Sequence, residues 1–439
     1  SHYSGFKYSE YWKWWGKFTK NRKRHYQRYD ENYELERKCI KLAVNSLTPQ
    51  DAYTLISSIA KQATGRSDLI ATDTSSFVSV GGTLLRTGVE NTLKTMSTVF
   101  AETYFANESY TGKLRTVEQT NVRWGAIVRE ITSLSMDAEQ SDDWNTEQNP
   151  NTLDDGNSID MYKIHKPKVL ELKFYGTKLL QRSITRFRDQ LALAFSSEEE
   201  FLRFYEAVMI EFRNDLEMDR ESERRATMLN YMAGLSSLGM EVDLAHEFNT
   251  ENGTQYTRKQ LLSEHRDKFM PFVVARIKLD SEKMTERSTK YRFTITGFED
   301  LLRFTRKENQ RLMMLSSFWI DSETQTLPYV FDDKNLQIEN KELVNWWQSA
   351  DNESAIQITP SIIGADGHAK QAETEVNLPY VLGVLYDRRA MGVNWQFDYS
   401  STTPFNSRGG YYNMFVHSRK NYWNNFTHNG ILYVIGEGV

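Results

Sequence analysis

Residues 197–233 read SEEEFLRFYEAVMIEFRNDLEMDRESERRATMLNYMA and contain neither glycine nor proline. Ser197 followed by Glu200 is a capping-box pattern, and Gly234 predicts where the helix ends. At 1.5 Å per residue, these roughly 37 residues would form a rod of about 55 Å. One small core cannot cover a rod of that length, so we expect it to run along the outside of a thin, flattened domain.

The predicted helix has one apolar face, interrupted towards its end. Asp219 and Glu223 break the stripe before Ala226 and Leu229 resume it. We expect the helix to be continuous and to pack on the closing strands of the chain, with Phe212 buried. The first part of the face comprises Phe201, Phe204, Tyr205, Val208, Met209, Phe212 and Leu216.

Two strand-like segments precede the helix. Residues 122–132 (VRWGAIVREIT) and 168–175 (KVLELKFY) have the composition of strands, and the second alternates apolar and polar side chains. They flank an excursion, Ser133–Asp160, that has eight acidic residues and no Lys or Arg. A loop of this length is uncommon inside a compact domain, so we expect it either to be disordered or to project and contact another molecule. The candidate interface residues within it are Asp142, Asp143, Trp144, Asp154 and Asp155.

Helical patterns fill the chain before these strands. Thr48 and Pro49 are a cap and a first helical residue, and a second amphipathic helix is expected from about Thr83 to Phe105. After the long helix, a helix from Thr257 to about Leu279 should break near Pro271. The last 64 residues are again strand-like, and Asn429-Gly430 before a β-branched run is typical of a hairpin turn.

The N-terminal arm combines positive charge with aromatic rings. Residues 1–30 carry eight Lys or Arg against Glu10 and Asp30, a local charge of +6, whereas the whole chain is −5. Lys and Arg beside aromatic rings suit contact with nucleic acid, and Trp is also typical of protein interfaces. We favour a neighbouring subunit as the contact and keep nucleic acid as the alternative. The interface candidates are Trp12, Trp14 and Trp15, and the DNA-facing candidates are Lys13, Lys17, Arg22, Lys23 and Arg24.

Composition excludes several classes of protein. The 439 residues are 39% hydrophobic and 13% aromatic, which is the composition of a folded chain with about two or three structural units. The sequence has no apolar run long enough to cross a bilayer and no secretory leader pattern. Cys39 is the only cysteine, so an internal disulfide or a multi-cysteine zinc site is excluded, and a reducing cytoplasm suits the chain.

No constellation of catalytic residues appears in the sequence. It has no phosphate-binding glycine loop, no HExxH pair and no GxSxG elbow, so we predict a protein that is not an enzyme and needs no cofactor or metal. One class of enzyme stays open as an alternative, an unrecognised hydrolase, which would lose activity on changing Asp387 or His417.

The order of these parts resembles the major capsid protein of tailed bacteriophages, the Hong Kong 97 type of fold, in its short-tailed podovirus form. The resemblance covers about residues 72–439. The stretches that carry it are ATDTSSFVSVGGTLLRTGVENTL (71–93), SIDMYKIHKPKVLELKFYGT (158–177), VLGVLYDRRAMGV (381–393), TTPFNSRGGYYNMF (402–415) and NGILYVIGEG (429–438).

This resemblance implies an α+β chain divided into the parts of that fold. They would be an N-terminal arm (1–48), a helical segment next to the P-domain (49–118), an extended E-loop hairpin (119–184), the P-domain with its spine helix (185–240), an A-domain (241–375) and closing strands (376–439). The resemblance also implies self-assembly into hexamers and pentamers of an icosahedral head, which is put together in the host cytoplasm. Double-stranded DNA, a portal, and scaffold or decoration proteins would be the partners, without a membrane. A different phage structural protein such as a portal, which would form 12-fold rings, stays open as an alternative.

Overall fold

The computed structural model of the protein describes residues 49–87, 95, 113–119, 128–134, 162, 164, 166–325 and 341–438. The chain forms two compact units, which are described separately here. Unit 1 lies within residues 1–112, 179–219 and 397–418. Unit 2 lies within residues 113–178, 220–396 and 419–439. Helices and sheets occur together in the chain, so the predicted α+β class is confirmed.

The helices are α1 Pro49–Thr64, α2 Thr74–Thr87, α3 Arg188–Ala194, α4 Glu198–Ser237, α5 Leu244–Asn252, α6 Arg258–Leu262, α7 Arg266–Lys283 and α8 Ser316–Gln325. The strands of the first part are β1 Val128–Ser133, β2 Val169–Phe174, β3 Thr177–Phe187 and β4 Glu241–Asp243. The later strands are β5 Gln310–Leu315, β6 Lys341–Val344, β7 Ile356–Ile358, β8 Ser361–Ile363, β9 Ala369–Gln371, β10 Val376–Leu378, β11 Val381–Asp387, β12 Met391–Thr402, β13 Tyr411–Asn424 and β14 Gly430–Val434.

The core of unit 1 is built from α1, α2 and the start of α4. Helix α1 begins at Pro49, as the sequence predicts. Helix α2 begins at Thr74, so the expected start near Thr83 was wrong. The reason is a local cap, since the Asp73 carboxylate accepts the backbone N–H of Ser76 at 2.7 Å. The apolar faces of both helices pack around Phe201 at the start of α4.

Helix α4 is one continuous element of 40 residues. Ser197 caps it by accepting the backbone N–H of Glu200 at 3.3 Å. The expected end at Gly234 was wrong, because the helix passes through this glycine and ends at Ser237. Gly239 provides the stop, with φ at +78°. The N–H of Met240 donates to Leu235 and that of Gly239 to Ser236, which are the two bonds of a Schellman motif.

A five-stranded mixed sheet forms the centre of unit 2, in the order β4-β14-β11-β5-β6. Every residue of β11 and β14 is buried, because helices and loops cover both faces. The last turns of α4 pack on this sheet, where the ring of Tyr231 meets that of Tyr386 in β11 edge-on with centroids 5.9 Å apart. The prediction that the long helix packs on the closing strands is confirmed for this part of α4.

Two further expectations about unit 2 were wrong. Asn429-Gly430 does not form a hairpin turn, because β14 pairs with β11 and β4 instead of with β13. Gly430 is needed for close packing, since a Cβ there would lie 2.1 Å from the Tyr231 hydroxyl. Helix α7 runs unbroken through Pro271, and the interruption between α6 and α7 lies a few residues earlier, at 263–265.

Candidate assembly surface

The two strands that flank the acidic excursion form an antiparallel pair. Ile131 of β1 lies opposite Glu171 of β2, and Ser133 lies opposite Val169. One further bond, from the N–H of Leu134 to the carbonyl of Lys168 at 2.8 Å, extends the pairing. The two ends of the excursion therefore lie together at one root in unit 2, as the strand-like flanks predict.

The outer face of this pair is exposed and mixes apolar with charged side chains. Ile131 is 55% exposed and Val169 53%, although both are β-branched residues suited to a covered surface. Between them the Glu171 carboxylate pairs with Arg129 at 2.8 Å and with Lys173 at 3.5 Å. Large exposed apolar groups in one small area are typical of a protein interface.

Other large apolar side chains are exposed in the chain around β2. Tyr162 and Ile164 lie on its N-terminal side and are 82% and 78% exposed, and Tyr175 follows the strand with 68% exposed. The chain keeps these groups in water at a cost in free energy, which contact with another molecule would remove. The outer face of β1 and β2 and the apolar side chains around it can therefore bind another molecule by apolar contact, with charged side chains at the edge of the contact.

The inner face of the pair is covered. Leu170 and Leu172 of β2 pack on Ile295 and Leu301, which follow α7 in unit 2. Burial of these leucines fixes which face of β2 points to solvent, because a slip of one residue would exchange the two faces.

The charged residues that interrupt the apolar stripe of α4 are ion-paired in both units. In unit 1, Arg182 of β3 donates to Asp219 at 2.8 Å and to Asp215 at 2.9 Å. In unit 2, Glu223 pairs with Lys178 at 2.9 Å and also contacts the fully buried Lys420. At these acidic positions, ion pairs therefore hold strands β3 and β13 against the helix.

Asp387, which the hydrolase alternative uses, is fully buried in unit 2. Its carboxylate accepts bonds from Arg389 at 2.8 Å and from Thr305 at 2.8 Å. Burial alone would raise the pKa of Asp387, but the hydrogen bonds and charge of Arg389 together with the charge of His428 lower it below its ordinary value. This is the arrangement of a structural ion pair. His417, the other residue that the hydrolase alternative uses, belongs to unit 1.

In the described part of the chain, no group of His, Cys, Asp or Glu is placed to hold a metal ion. No helix within those residues is both long and apolar enough to cross a membrane.

The candidate residues chosen from the sequence lie outside the described residues. They are Trp12, Trp14, Trp15, Lys13, Lys17, Arg22, Lys23, Arg24, Asp142, Asp143, Trp144, Asp154 and Asp155.

Sequence reasoning missed the exposed outer face of β1 and β2. The signal for it was present in β1, where Ile131 is flanked by the polar side chains of Glu130 and Thr132.

Comparison with known proteins places the chain among phage capsid proteins. The family model of the Phi29-like phage major capsid protein matches residues 56–434. No curated protein matches the chain.

The solved structures that are similar to the chain also come from phages. A chain of the capsid structure of Staphylococcus phage Andhra has a TM-score of 0.46 at 10% identity, covering 75% of this chain and 86% of that one. For the structure of head fiber and inner core protein gp22 of native bacteriophage P68, the TM-score is 0.45 at 11% identity, covering 74% and 85%. For the capsid structure of the cyanophage P-SCSP1u, it is 0.40 at 9% identity, covering 75% and 90%.

The family match extends from α1 to the last strand and so includes both units and the root of the excursion. The chain belongs to the Phi29-like phage major capsid protein family.

Proposed function

We propose that copies of this chain assemble as hexamers and pentamers into the icosahedral head of a short-tailed phage. The observation that carries the proposal is the match of the capsid family to residues 56–434, which is most of the chain. The head encloses double-stranded DNA, and assembly takes place in the host cytoplasm with a portal and with scaffold or decoration proteins as partners. The chain acts through contacts between copies and performs no reaction.

The parts of the chain correspond to those of the Hong Kong 97 type of capsid fold. Residues 1–48 are the N-terminal arm, 49–118 the helical segment beside the P-domain and 119–184 the E-loop. Residues 185–240 contain the spine helix, 241–375 are the A-domain and 376–439 the closing strands. The antiparallel root of β1 and β2 and the unbroken α4 support this assignment.

Electron microscopy of the purified protein in negative stain tests the assembly. We expect closed shells made of hexameric and pentameric units. Rings with 12-fold symmetry would instead indicate a portal, and particles that stay monomeric under all assembly conditions would contradict the proposal.

We further propose that the excursion 133–160 contacts a neighbouring copy of the chain. The exposed outer face at its root, with Ile131 and Val169, supports this role. Deleting 137–157 should leave a soluble subunit with an unchanged far-UV circular dichroism spectrum, because the deletion spares the paired strands. The same deletion should block shell formation, and normal shells from it would disprove the intersubunit contact.

A further inference from the structure

The inner face of β1 carries an ionisable side chain, although the covered face of a strand usually carries apolar side chains. Glu130 lies opposite Leu172 on the covered side of the strand pair. Its neighbours on this face are Leu170 and Leu172, both less than one-tenth exposed, and the Glu130 side chain is itself only 27% exposed. Placing a carboxylate here costs free energy unless donors compensate for the lost water.

Three side chains supply those donors. His428 Nε2 lies 2.9 Å from Oε1 and 3.1 Å from Oε2 of Glu130. Arg303 Nη2 donates to Oε1 at 3.1 Å, and Asn425 Nδ2 donates to Oε2 at 2.5 Å. Both oxygens of the carboxylate are therefore bonded to parts of unit 2 outside β1 and β2, and Thr132 of β1 adds a longer bond to Oε1 at 3.4 Å.

The donors are held rigidly by their own surroundings. His428 and Asn425 are each 1% exposed and lie in the turn between β13 and β14. Arg303 also donates to the Thr427 carbonyl of that turn at 3.2 Å, and its backbone pairs with Ser288. Because the donors are fixed before Glu130 reaches them, they define one position for the strand that carries it.

The remaining contacts of the strand pair are less directional. Leu170 and Leu172 pack on Ile295 and Leu301 through apolar contact, which tolerates sliding and rotation more readily than hydrogen bonds do. A carboxylate bound by three donors fixes both the position and the angle of β1. Glu130 also lies only three positions before Ser133, where the excursion begins.

We propose that Glu130 is the positioning residue of the excursion, anchoring the root of β1 and β2 to the 425–428 turn and to Arg303, so that the excursion meets the neighbouring copy at one angle. The inference rests on the proposed assembly function and adds the residue that orients its intersubunit element. Glu130 does not itself contact the neighbour.

The test replaces Glu130 by Gln and measures amide hydrogen exchange in the isolated, unassembled subunit. Gln keeps the size of the side chain, but its NH₂ group would face donors. We expect exchange in 128–133, 169–174 and 425–429 to accelerate by about ten- to a hundredfold, because hydrogen bonds to charged groups contribute on that scale. Exchange in β11 and β14 should not change. The control for exchange is Glu171→Gln, the same chemical change on the outer face of β2.

The second measurement is the yield of regular shells by electron microscopy. Glu130→Gln should lower this yield, whereas Glu251→Gln on the exposed side of α5 should not. Unchanged exchange in the strand pair would overturn the inference, as would faster exchange spread evenly over unit 2. Local acceleration with a normal yield of shells would also overturn it, and it would leave the proposed assembly function intact.

A second variant covers the case in which Glu130→Gln does not fold. His428→Ala removes one donor and introduces no mismatched group, so the same local acceleration is expected with a smaller amplitude. If His428→Ala folds and leaves exchange in 128–133 and 169–174 unchanged, the anchoring role is disproved. Failure of the assembly proposal itself would appear separately, as wild-type particles that stay monomeric under all assembly conditions. Failure of the proposed contact through the excursion would appear as normal shells from the 137–157 deletion.

Discussion

Glu130 is the residue whose protonation should most affect the root of the excursion. Burial alone would raise its pKa, but the hydrogen bond from His428 and the charges of His428, Arg303 and Arg389 outweigh burial and lower the pKa to about 2. The folded state therefore binds the proton of Glu130 more weakly than the unfolded state does. The contribution of the carboxylate to stability is present above about pH 4.5 and is lost as the pH falls through about 2.

We predict that acid reduces the stability difference between the wild-type subunit and Glu130→Gln. The lowered pKa of Glu130 makes roughly 3 kcal/mol of wild-type stability depend on the ionised carboxylate. Urea unfolding of both proteins from pH 6 to pH 3 measures the difference, which should stay level down to about pH 4.5 and shrink below it. A difference that stays constant over this range would show that the Glu130 carboxylate does not contribute to the stability of the fold.

Gly234 shows that a glycine can be required within a helix. A Cβ at this position would lie 2.4 Å and 2.6 Å from ring atoms of Phe426, which is stacked on Tyr231 and cannot move away. Alanine has the better helix propensity by about 1 kcal/mol, but overpacking costs about 1–3 kcal/mol. We predict that Gly234→Ala lowers the free energy of unfolding, measured with urea.

The control for this substitution is Gly82→Ala in α2. No atom lies within 4 Å of the Cβ that would be added there, so helix propensity alone acts. We expect a stabilisation of up to about 1 kcal/mol, opposite in sign to the effect at Gly234. The same sign at both positions would contradict the packing argument.

Among the secondary-structure elements, α4 is held in unit 1 by a cluster of aromatic rings around its first turn. Phe201 is fully buried, and its ring centroid lies 5.6 Å from that of Phe77 and 5.8 Å from that of Phe195. We predict that Phe201→Ala costs about 3–5 kcal/mol of stability, because surrounding rings of this size cannot collapse into the cavity. Thermal unfolding of the unassembled subunit measures the loss.

Met218 is the matched control on the same helix. It is 66% exposed, so Met218→Ala should change stability by less than about 0.5 kcal/mol. A similar loss in both variants would show that the packing of rings around Phe201 is not what holds α4 in place. The burial of Phe212 stays a prediction, since its side chain lies outside the described residues.

At the scale of the whole molecule, the N-terminal arm (residues 1–30) lies outside the described residues, so its function stays a prediction. If Trp12, Trp14 and Trp15 dock on a neighbouring subunit, binding is mainly apolar and changes little with salt. If the arm faces packaged DNA, each phosphate that it neutralises should steepen the log–log salt dependence of binding by about 0.9. We predict the contact with a neighbouring subunit.

Two variants distinguish these partners. In one variant the three tryptophans are replaced by Ala. In the other, the basic residues of the arm, Lys13, Lys17, Lys20, Arg22, Lys23 and Arg24, are replaced by Gln. We expect only the tryptophan variant to destabilise assembled shells in a thermal melt. Loss of DNA retention in the charge variant, with its empty shells intact, would favour DNA as the partner.

The sequence by itself determined the elements with strong local signals. The capping pattern at Ser197, the run without glycine or proline that follows it and Pro49 at a helix start all act within a few residues of the chain. The alternation of Leu170 and Leu172 with polar residues likewise marked β2 and its covered face. The family resemblance rested on such stretches in their order along the chain.

Only the tertiary structure decided the features that depend on residues far apart in the chain. Gly234 carries a stop signal locally, but Phe426 occupies the space beside it, and the helix continues to Ser237, where the motif at Gly239 ends it. Asn429-Gly430 has the local pattern of a turn, whereas the pairing of β14 with β11 and β4 replaces a hairpin. Glu130 and His428 are almost 300 positions apart, and no local pattern predicts their contact, because packing of the whole unit brings them together.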